Sequence, residues 1–505
     1  MSSSSSSSST DSSINWENQI LSNRYIILKK IDSGAYASVW ITFDIQNIKY
    51  CAIKINNAED LKTGRRETKM YNVFKKYKSN SIMTMIDSFE HETESGVHHC
   101  CVMDLMACSL YNLIKTKKYS RGLQLNVIVN ITYQVLKGLS HMHKDNIIHG
   151  DIKPENILVC GQSISQKKLF NFVNVNEIIS KTKVDIKLDK IKNSNNKNNK
   201  NKKHTIHTTN TTNAHNNFIE KIASQINKKM SEYQKHQKET KCSSDKSYDT
   251  IENSSDSTND INSNSDSETS KNLSCKISIS SCESDSYVSS KYIYHNDTND
   301  KQNSDNSISS VSSISSVNSN NSKKEILNDD NINNMKVKIS DMGGCLLPEK
   351  PRRKQIQTCY YRSPEILLGL DYGIECDMWA LGCTIYELLT GQILFDPNDF
   401  EGNVKRHHVY LITKKIGLIP ESMVNKSPKR DIFFTANNKL IKGYKSIDFS
   451  NMLPKELEVF MKRNQVDPYI AIHFIDFMKK ILFCNPVKRL KVDDALNHPL
   501  FSEIQ

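Results

Sequence analysis

From Arg24 to Val159 the apolar residues first alternate and then recur at helical spacing, so strands give way to helices. In Lys49-Tyr50-Cys51-Ala52-Ile53-Lys54-Ile55 a period of two puts Cys51, Ile53 and Ile55 on one face and Ala52 and Lys54 on the other. One face is core. The other sets a charge beside a very small side chain, which suits a strand lining a ligand pocket. Further on, Ile128, Ile131, Val135, Leu139 and Met142 predict an amphipathic helix. From Met335 to the C-terminus the pattern is mostly helical. Two stretches carry no such pattern, a Ser-rich start over 1–23 and a polar block over 160–334. Neither offers enough apolar burial to offset the entropy of ordering itself, so both are expected to be disordered, the block as a spacer. Ordered structure is therefore expected over 24–159 and 335–505.

Composition agrees with that division. Of 505 residues only 37% are hydrophobic, and setting the two polar stretches aside leaves roughly 300, enough for one two-lobed core. The formal net charge of +12 admits nucleic acid, an anionic membrane or acidic partners, or simply Lys used as a common filler. Within the block Lys197, Lys200, Lys202 and Lys203 cluster, and beyond Ile251 it turns Ser-rich and acidic. The 13 cysteines show no paired C-x-x-C spacing, so they read as thiols in a reducing compartment. The Ser2 to Ser9 run lacks the features of a signal peptide, and no apolar segment approaches a membrane span. A soluble intracellular protein is expected, cytoplasmic, with nuclear residence open.

The chemistry is concentrated after the amphipathic helix, in His149-Gly150-Asp151-Ile152-Lys153-Pro154-Glu155-Asn156-Ile157-Leu158. An Asp with a Lys two residues on and an Asn five residues on resembles the catalytic loop of protein kinases, where phosphoryl transfer needs positioning and charge neutralisation. The resemblance implies an α+β, bilobal fold: a small antiparallel β N-lobe with one main helix over 24–106, and a mainly helical C-lobe. It makes Asp151 and Lys153 catalytic and gives Asn156 to Mg²⁺. Lys153 at that position is typical of Ser/Thr specificity. Lys54 matches the strand lysine that holds the ATP phosphates, and Glu67 its helix partner. Asp341-Met342-Gly343 stands where the family has Asp-Phe-Gly, which makes Asp341 a second Mg²⁺ ligand. Ser363-Pro364-Glu365 closes the activation segment, Arg489 is placed to pair with Glu365, and Asp377 to brace the catalytic loop. The resemblance also implies Ile31, Gly34, Val39, Ala52 and Leu158 around the nucleotide, Met103 as gatekeeper, and Asp104 to Met106 as the hinge. Outside these motifs, His98 and His99 are expected as exposed strand-turn residues and Cys100 and Cys101 as core.

Two positions depart from the family. The glycine-rich loop keeps only Gly34, with Asp32 and Ala37 at the outer positions. Gly150 replaces the arginine that usually receives an activation-loop phosphate, which predicts a kinase active as made. Tyr360-Tyr361-Arg362-Ser363-Pro364-Glu365 looks like the CMGC group. The small residue before the catalytic Asp, Ile356-Gln357-Thr358 and the spacer position resemble the SR-protein kinases. That resemblance implies protein substrates with Ser/Thr acceptors, among them Arg-Ser-rich or other splicing-type proteins. It implies ATP and Mg²⁺ as cofactors, a monomer, and no direct nucleic-acid or membrane partner. Where the family has an acidic docking groove, residues 398–407 are more basic than acidic. The rival reading, a pseudokinase scaffold, rests on the altered glycine loop.

Overall fold

The computed structural model describes residues 14–183, 209–245, 332–348, 355–398, 403–441 and 452–502. The chain divides into two units, residues 1–227 with 317–505, and residues 228–316. The second is described only over 228–245, the end of a helix. Both sheets and the site described below belong to the first.

The alternating stretches form a six-stranded antiparallel sheet in the order β1-β2-β3-β4-β6-β5. Its strands are β1 (Ile20–Leu21), β2 (Tyr25–Ser33), β3 (Ala37–Asp44), β4 (Lys49–Asn56), β5 (Met85–Thr93) and β6 (Gly96–Asp104). Cys51, Ile53 and Ile55 of β4 are buried against Trp16, Leu21, Tyr25 and Trp40. The opposite face of β4 carries Ala52 and Lys54, as the period of two requires. Helix α1 (Leu61–Phe74) packs on β6 and brings Glu67, Met70, Tyr71 and Phe74 inward. A smaller antiparallel sheet, β7 (Cys108–Ser109), β8 (Ile157–Val159) and β9 (Val337–Ile339), joins segments from both sides of the polar block. Helix α2 (Leu125–Lys144) buries Ile128, Ile131, Val135, Leu139 and Met142, all the positions its spacing singled out.

Ordered structure extends beyond the expected boundaries at both polar stretches. Before residue 24, Trp16 is buried with its ring edge-on to His91 and His98, and β1 pairs with β2. Inside the block, α3 (Ile164–Val173) opens on a capping box in which Ser163 and Gln166 satisfy each other's backbone N–H groups. Its Phe170 stacks on Tyr50 of β4 at 3.7 Å, and Leu169 and Val173 are buried. Residues 175–183 continue as helix. Helix α4 (Thr209–Asp245) carries a buried stripe of Ile219, Ile222, Ala223 and Ile226 at helical spacing. These short apolar runs supply the burial that the block's average composition denies it. The basic cluster around Lys200 and the acidic Ser-rich stretch lie outside the described residues.

His98 and His99 are likewise buried rather than exposed. They sit within β6, not at a turn, and strand alternation sends them to opposite faces. His98 bonds the Asn56 carbonyl at 2.9 Å and Thr93 at 3.0 Å, while His99 meets Thr68 of α1 at 3.1 Å. Cys100 and Cys101 are core, as expected.

In the C-lobe, α5 (Glu375–Thr390) runs through the centre, with Trp379 fully buried and stacked on Phe395 at 5.7 Å. Beside it, α6 (Val404–Ile416) buries His408 with both ring nitrogens unbonded. Burial pushes that imidazole down to about 3, and the charges of Arg362 and His407 add to the effect. A lowered folded-state pKa means that only the unfolded chain gains this proton as pH falls below 6.5, so the native state loses stability there. His408→Phe should remove the effect. Relative to the parent it should be spared about 2 kcal/mol of destabilisation between pH 7.5 and pH 5. Urea unfolding at the two pH values checks this; identical pH slopes for parent and variant would refute it.

Candidate active site

The sheet's pocket face is set by register. Cross-strand partners point to the same side, and Val39 lies opposite Lys54 while Ala52 lies opposite Met103. These four side chains therefore share one face, and β8 supplies Leu158. Ile31 is exposed near the end of β2. Gly34 forms the tip of the β2–β3 turn, its N–H donating to the Ala37 carbonyl at 2.9 Å. A Cβ on Gly34 would find its nearest atom 3.8 Å away. Glycine there relieves no strain; it leaves a gap open beside the backbone. The carboxylate of Asp32, which replaces an outer glycine, accepts a bond from the N–H of Ser33 at 2.8 Å.

Lys54 reaches across to α1 and donates to Glu67 at 2.7 Å; Asp341 stands 3.5 Å away on its other side. Burial opposes the charge on Lys54, but Glu67 and Asp341 outweigh it and raise the ammonium above its ordinary value. Lys54 in turn holds the Asp341 carboxyl below the usual range, against burial, with Lys153 helping. Asp341 adopts a left-handed backbone, φ 59°. Behind it Met342 is fully buried, with Cys345 Sγ 3.8 Å from its sulfur, and Arg66 of α1 donates to the Cys345 carbonyl at 2.9 Å. Methionine thus fills the apolar plug position of the Asp-Met-Gly turn.

The catalytic-loop residues converge between the two sheets and α5. Asp151 Oδ1 accepts from the Thr358 hydroxyl at 2.7 Å, and Oδ2 takes Lys153 at 2.8 Å and the Asn156 amide at 3.0 Å. Lys153 also donates to Thr358 at 2.8 Å. Burial opposes the Lys153 charge, while the neighbouring Asp151 raises its pKa overall. The amide nitrogen of Asn156 is directed at Asp151, which leaves its oxygen as an acceptor. Asp377 of α5 receives the backbone N–H groups of His149 and Gly150, both at 2.8 Å, and meets His143 at 3.1 Å. His149 completes the brace, bonded to the Ser340 carbonyl at 3.0 Å through Nε2. Gly150 has φ +79°, a conformation L side chains rarely adopt. Its place before Asp151 therefore has a backbone reason as well as the loss of an anion anchor.

The activation segment is tied down by side-chain amide, guanidinium and backbone bonds. Gln357 donates its backbone N–H to the Gly150 carbonyl at 3.1 Å and its side-chain amide to the Cys376 carbonyl at 2.8 Å. Arg362 donates to the Ile356 and Gln357 carbonyls at 3.0 and 2.7 Å. At its close, Arg489 makes a bidentate pair with Glu365 at 2.8 and 2.9 Å, both side chains essentially without exposure.

One contact had no counterpart in the sequence reading. Gln166, the third residue of the capping box, donates its side chain to the Met106 carbonyl at 3.0 Å and so ties α3 to the expected hinge. The Ser-x-x-Gln spacing was the available signal.

Chemically the site offers a lysine with one carboxylate 3.5 Å away, an open glycine turn between β2 and β3, and a second carboxylate beside a lysine and an amide whose oxygen is left as an acceptor. Hard oxygen donors in that number suit Mg²⁺, which is bound through one or two carboxylates together with substrate phosphates rather than by a full protein cage.

The family model described as protein kinase domain matches residues 25–195 and 323–501, leaving the middle of the polar block between the two matched parts. A serine/threonine-protein kinase of Acanthamoeba polyphaga mimivirus is 28% identical over 96% of this chain and 88% of its own length. SRSF protein kinase 3 of Mus musculus is 25% identical over 95% and 86%. Serine/threonine-protein kinase SKY1 of Saccharomyces cerevisiae is 26% identical over 94% and 74%.

Proposed function

The chain belongs to the protein kinase family and is a serine/threonine protein kinase of the SR-protein-kinase type; from that premise we propose how its own residues divide the work. Asp151 orients the acceptor hydroxyl and takes its proton. Lys153 neutralises charge on the transferring group, and Thr358 holds both in register. Lys54, fixed by Glu67, holds the α- and β-phosphates. Asp341 and Asn156 hold Mg²⁺. Gly34 gives the backbone close approach, with Ile31, Val39, Ala52, Met103 and Leu158 around the base and Asp104 to Met106 as its hinge. Mg-ATP bound there supplies the γ-phosphoryl group and the cationic charge that offsets it. The observation that carries the reading is the convergence of Lys54, Glu67 and Asp341, set beside the Asp151, Lys153 and Asn156 cluster.

We propose further that the enzyme needs no activation-loop phosphate, acts as a monomer on protein substrates, and works inside the cell. Closure of the Lys54–Glu67 pair and anchoring of the segment through Gln357 and Gly150 support the first point. The Mus musculus relative is named SRSF protein kinase 3, which brings splicing-type proteins into the candidate set. Among the described residues no helix is long and apolar enough to cross a membrane.

The experiment is transfer of labelled phosphate by phosphatase-treated full-length protein with Mg-ATP, read on Ser/Thr peptides and as autophosphorylation. Turnover should persist after phosphatase treatment and vanish in Asp341→Ala. Thermal stabilisation by nucleotide with no transfer to any acceptor would replace this reading by a nucleotide-binding scaffold.

A further inference from the structure

The turn joining β3 to β4 is organised by one carboxylate. Asp44 is fully buried and accepts from Arg24 at 2.8 and 2.7 Å. It also takes the backbone N–H groups of Gln46 and Asn47 at 3.0 and 3.2 Å and the Asn47 amide at 2.8 Å. At the end of this turn Ile48 adopts φ 54°. A β-branched residue in the left-handed region is strained, and such strain persists only where the surroundings over-determine it. Asn or Gly would make the turn more easily. Nor is Ile48 core, since it is 45% exposed. The position keeps an aliphatic wall at a backbone cost.

That wall faces a cavity of about 550 Å³. Ile45 and Ile48 close it from the sheet, and Ile179, Phe218 and Ile219 close it from the insert helices, all within the first unit. Its size is that of a small-molecule site, commonly ~300–1,000 Å³, and well above an ordinary packing void. Water fills such a space poorly, because each molecule needs about two to four polar partners and most of this wall offers none. The polar part of the lining consists of amides and bases, with no acid. Of the bases, Arg24 is already balanced by Asp44 and by Asp87 at 3.2 Å. Lys183 and His215 make no hydrogen bond or ion pair among the described residues. The lining thus matches a ligand with an apolar body and one anionic end.

We propose that this cavity binds a small anionic amphiphile, an aliphatic chain ending in a carboxylate, with its body against Ile48 and Phe218 and its head at Lys183. The site is separate from the nucleotide site. The eight residues of β3 stand between the glycine turn and this one, a length of about 25 Å at ~3.3 Å per residue. Binding there does not depend on the kinase reading.

The test is calorimetric titration of the full-length protein, without nucleotide, with decanoate, 1-decanol and decyltrimethylammonium. Decanoate should occupy one site per chain and bind about tenfold more tightly than the other two, a difference the size of one well-placed interaction. Lys183→Gln should bring decanoate to the level of the alcohol. Ile48→Asn should weaken both about tenfold while the melting temperature holds or rises, because asparagine tolerates the left-handed region. Phe218→Ala should weaken both from the insert side. Several sites per chain, equal binding of acid and alcohol, or affinity unchanged in Ile48→Asn overturns the proposal. No binding by the parent overturns it too. If binding then appears when residues 184–208 are replaced by a Gly/Ser linker, the cavity belongs to that segment of the chain instead.

Discussion

Asp151→Asn should lower kcat/KM for phosphoryl transfer by about 10²–10⁴-fold, the usual contribution of a positioned proton acceptor, while leaving the melting temperature nearly unchanged. The asparagine oxygen can still accept the Thr358 hydroxyl that Oδ1 holds at 2.7 Å. What is lost is the charge that pairs with Lys153 at 2.8 Å and the capacity to take a proton. Asp151→Ala also removes the tie to the Asn156 amide, so it should be at least as inactive. Steady-state kinetics beside a thermal scan separates the two effects. A variant that loses activity only in proportion to lost folded protein would show that Asp151 braces the loop and does not act on the hydroxyl.

Arg489→Ala has the largest expected effect on stability. Its guanidinium meets both Glu365 oxygens and also donates to the carbonyls of Phe483 at 2.9 Å, Glu375 at 2.9 Å and Cys484 at 3.2 Å. Truncation leaves Glu365 as an uncompensated charge in a site with no exposure. Removing one partner of such a pair costs about 3–5 kcal/mol, whereas replacing both by neutral groups of similar volume is far milder. The double variant Glu365→Gln/Arg489→Met should therefore recover much of the loss. Urea midpoints for the parent, single and double variants check this. A double variant no better than Arg489→Ala would assign the cost to the orphaned carbonyls rather than to Glu365.

The side chains that converge at the candidate site were legible in the sequence because the chemistry expected of them fixes residue type and spacing together. Asp151, Lys153 and Asn156 could be placed without coordinates, and so could Lys54, from the alternation of β4. The Phe-to-Met replacement at Met342 was readable as a volume-conserving change. The insert helices were not legible. Leu169, Phe170 and Val173, or Ile219, Ile222 and Ile226, are short apolar runs inside a Lys- and Asn-rich block, and a block average hides them. His98 and His99 were misplaced because two adjacent polar rings suggest a turn, whereas β6 gives each its own partner.

The small sheet carries a consequence for synthesis. Ile157 of β8 pairs with Ile339 of β9, a partner that follows roughly 180 residues later, which at ~5–20 residues per second takes about 10–40 s to be made. Throughout that interval the nascent chain holds a complete first sheet and α2, but β8 has one bare edge and Asp377 has not yet arrived to brace the catalytic loop. The α3 helix, emerging directly after β8 with its own local cap and docking onto Tyr50, covers apolar surface during the wait. Ribosome pausing or codon choice within the insert should therefore alter the yield of soluble enzyme more than similar changes near the C-terminus.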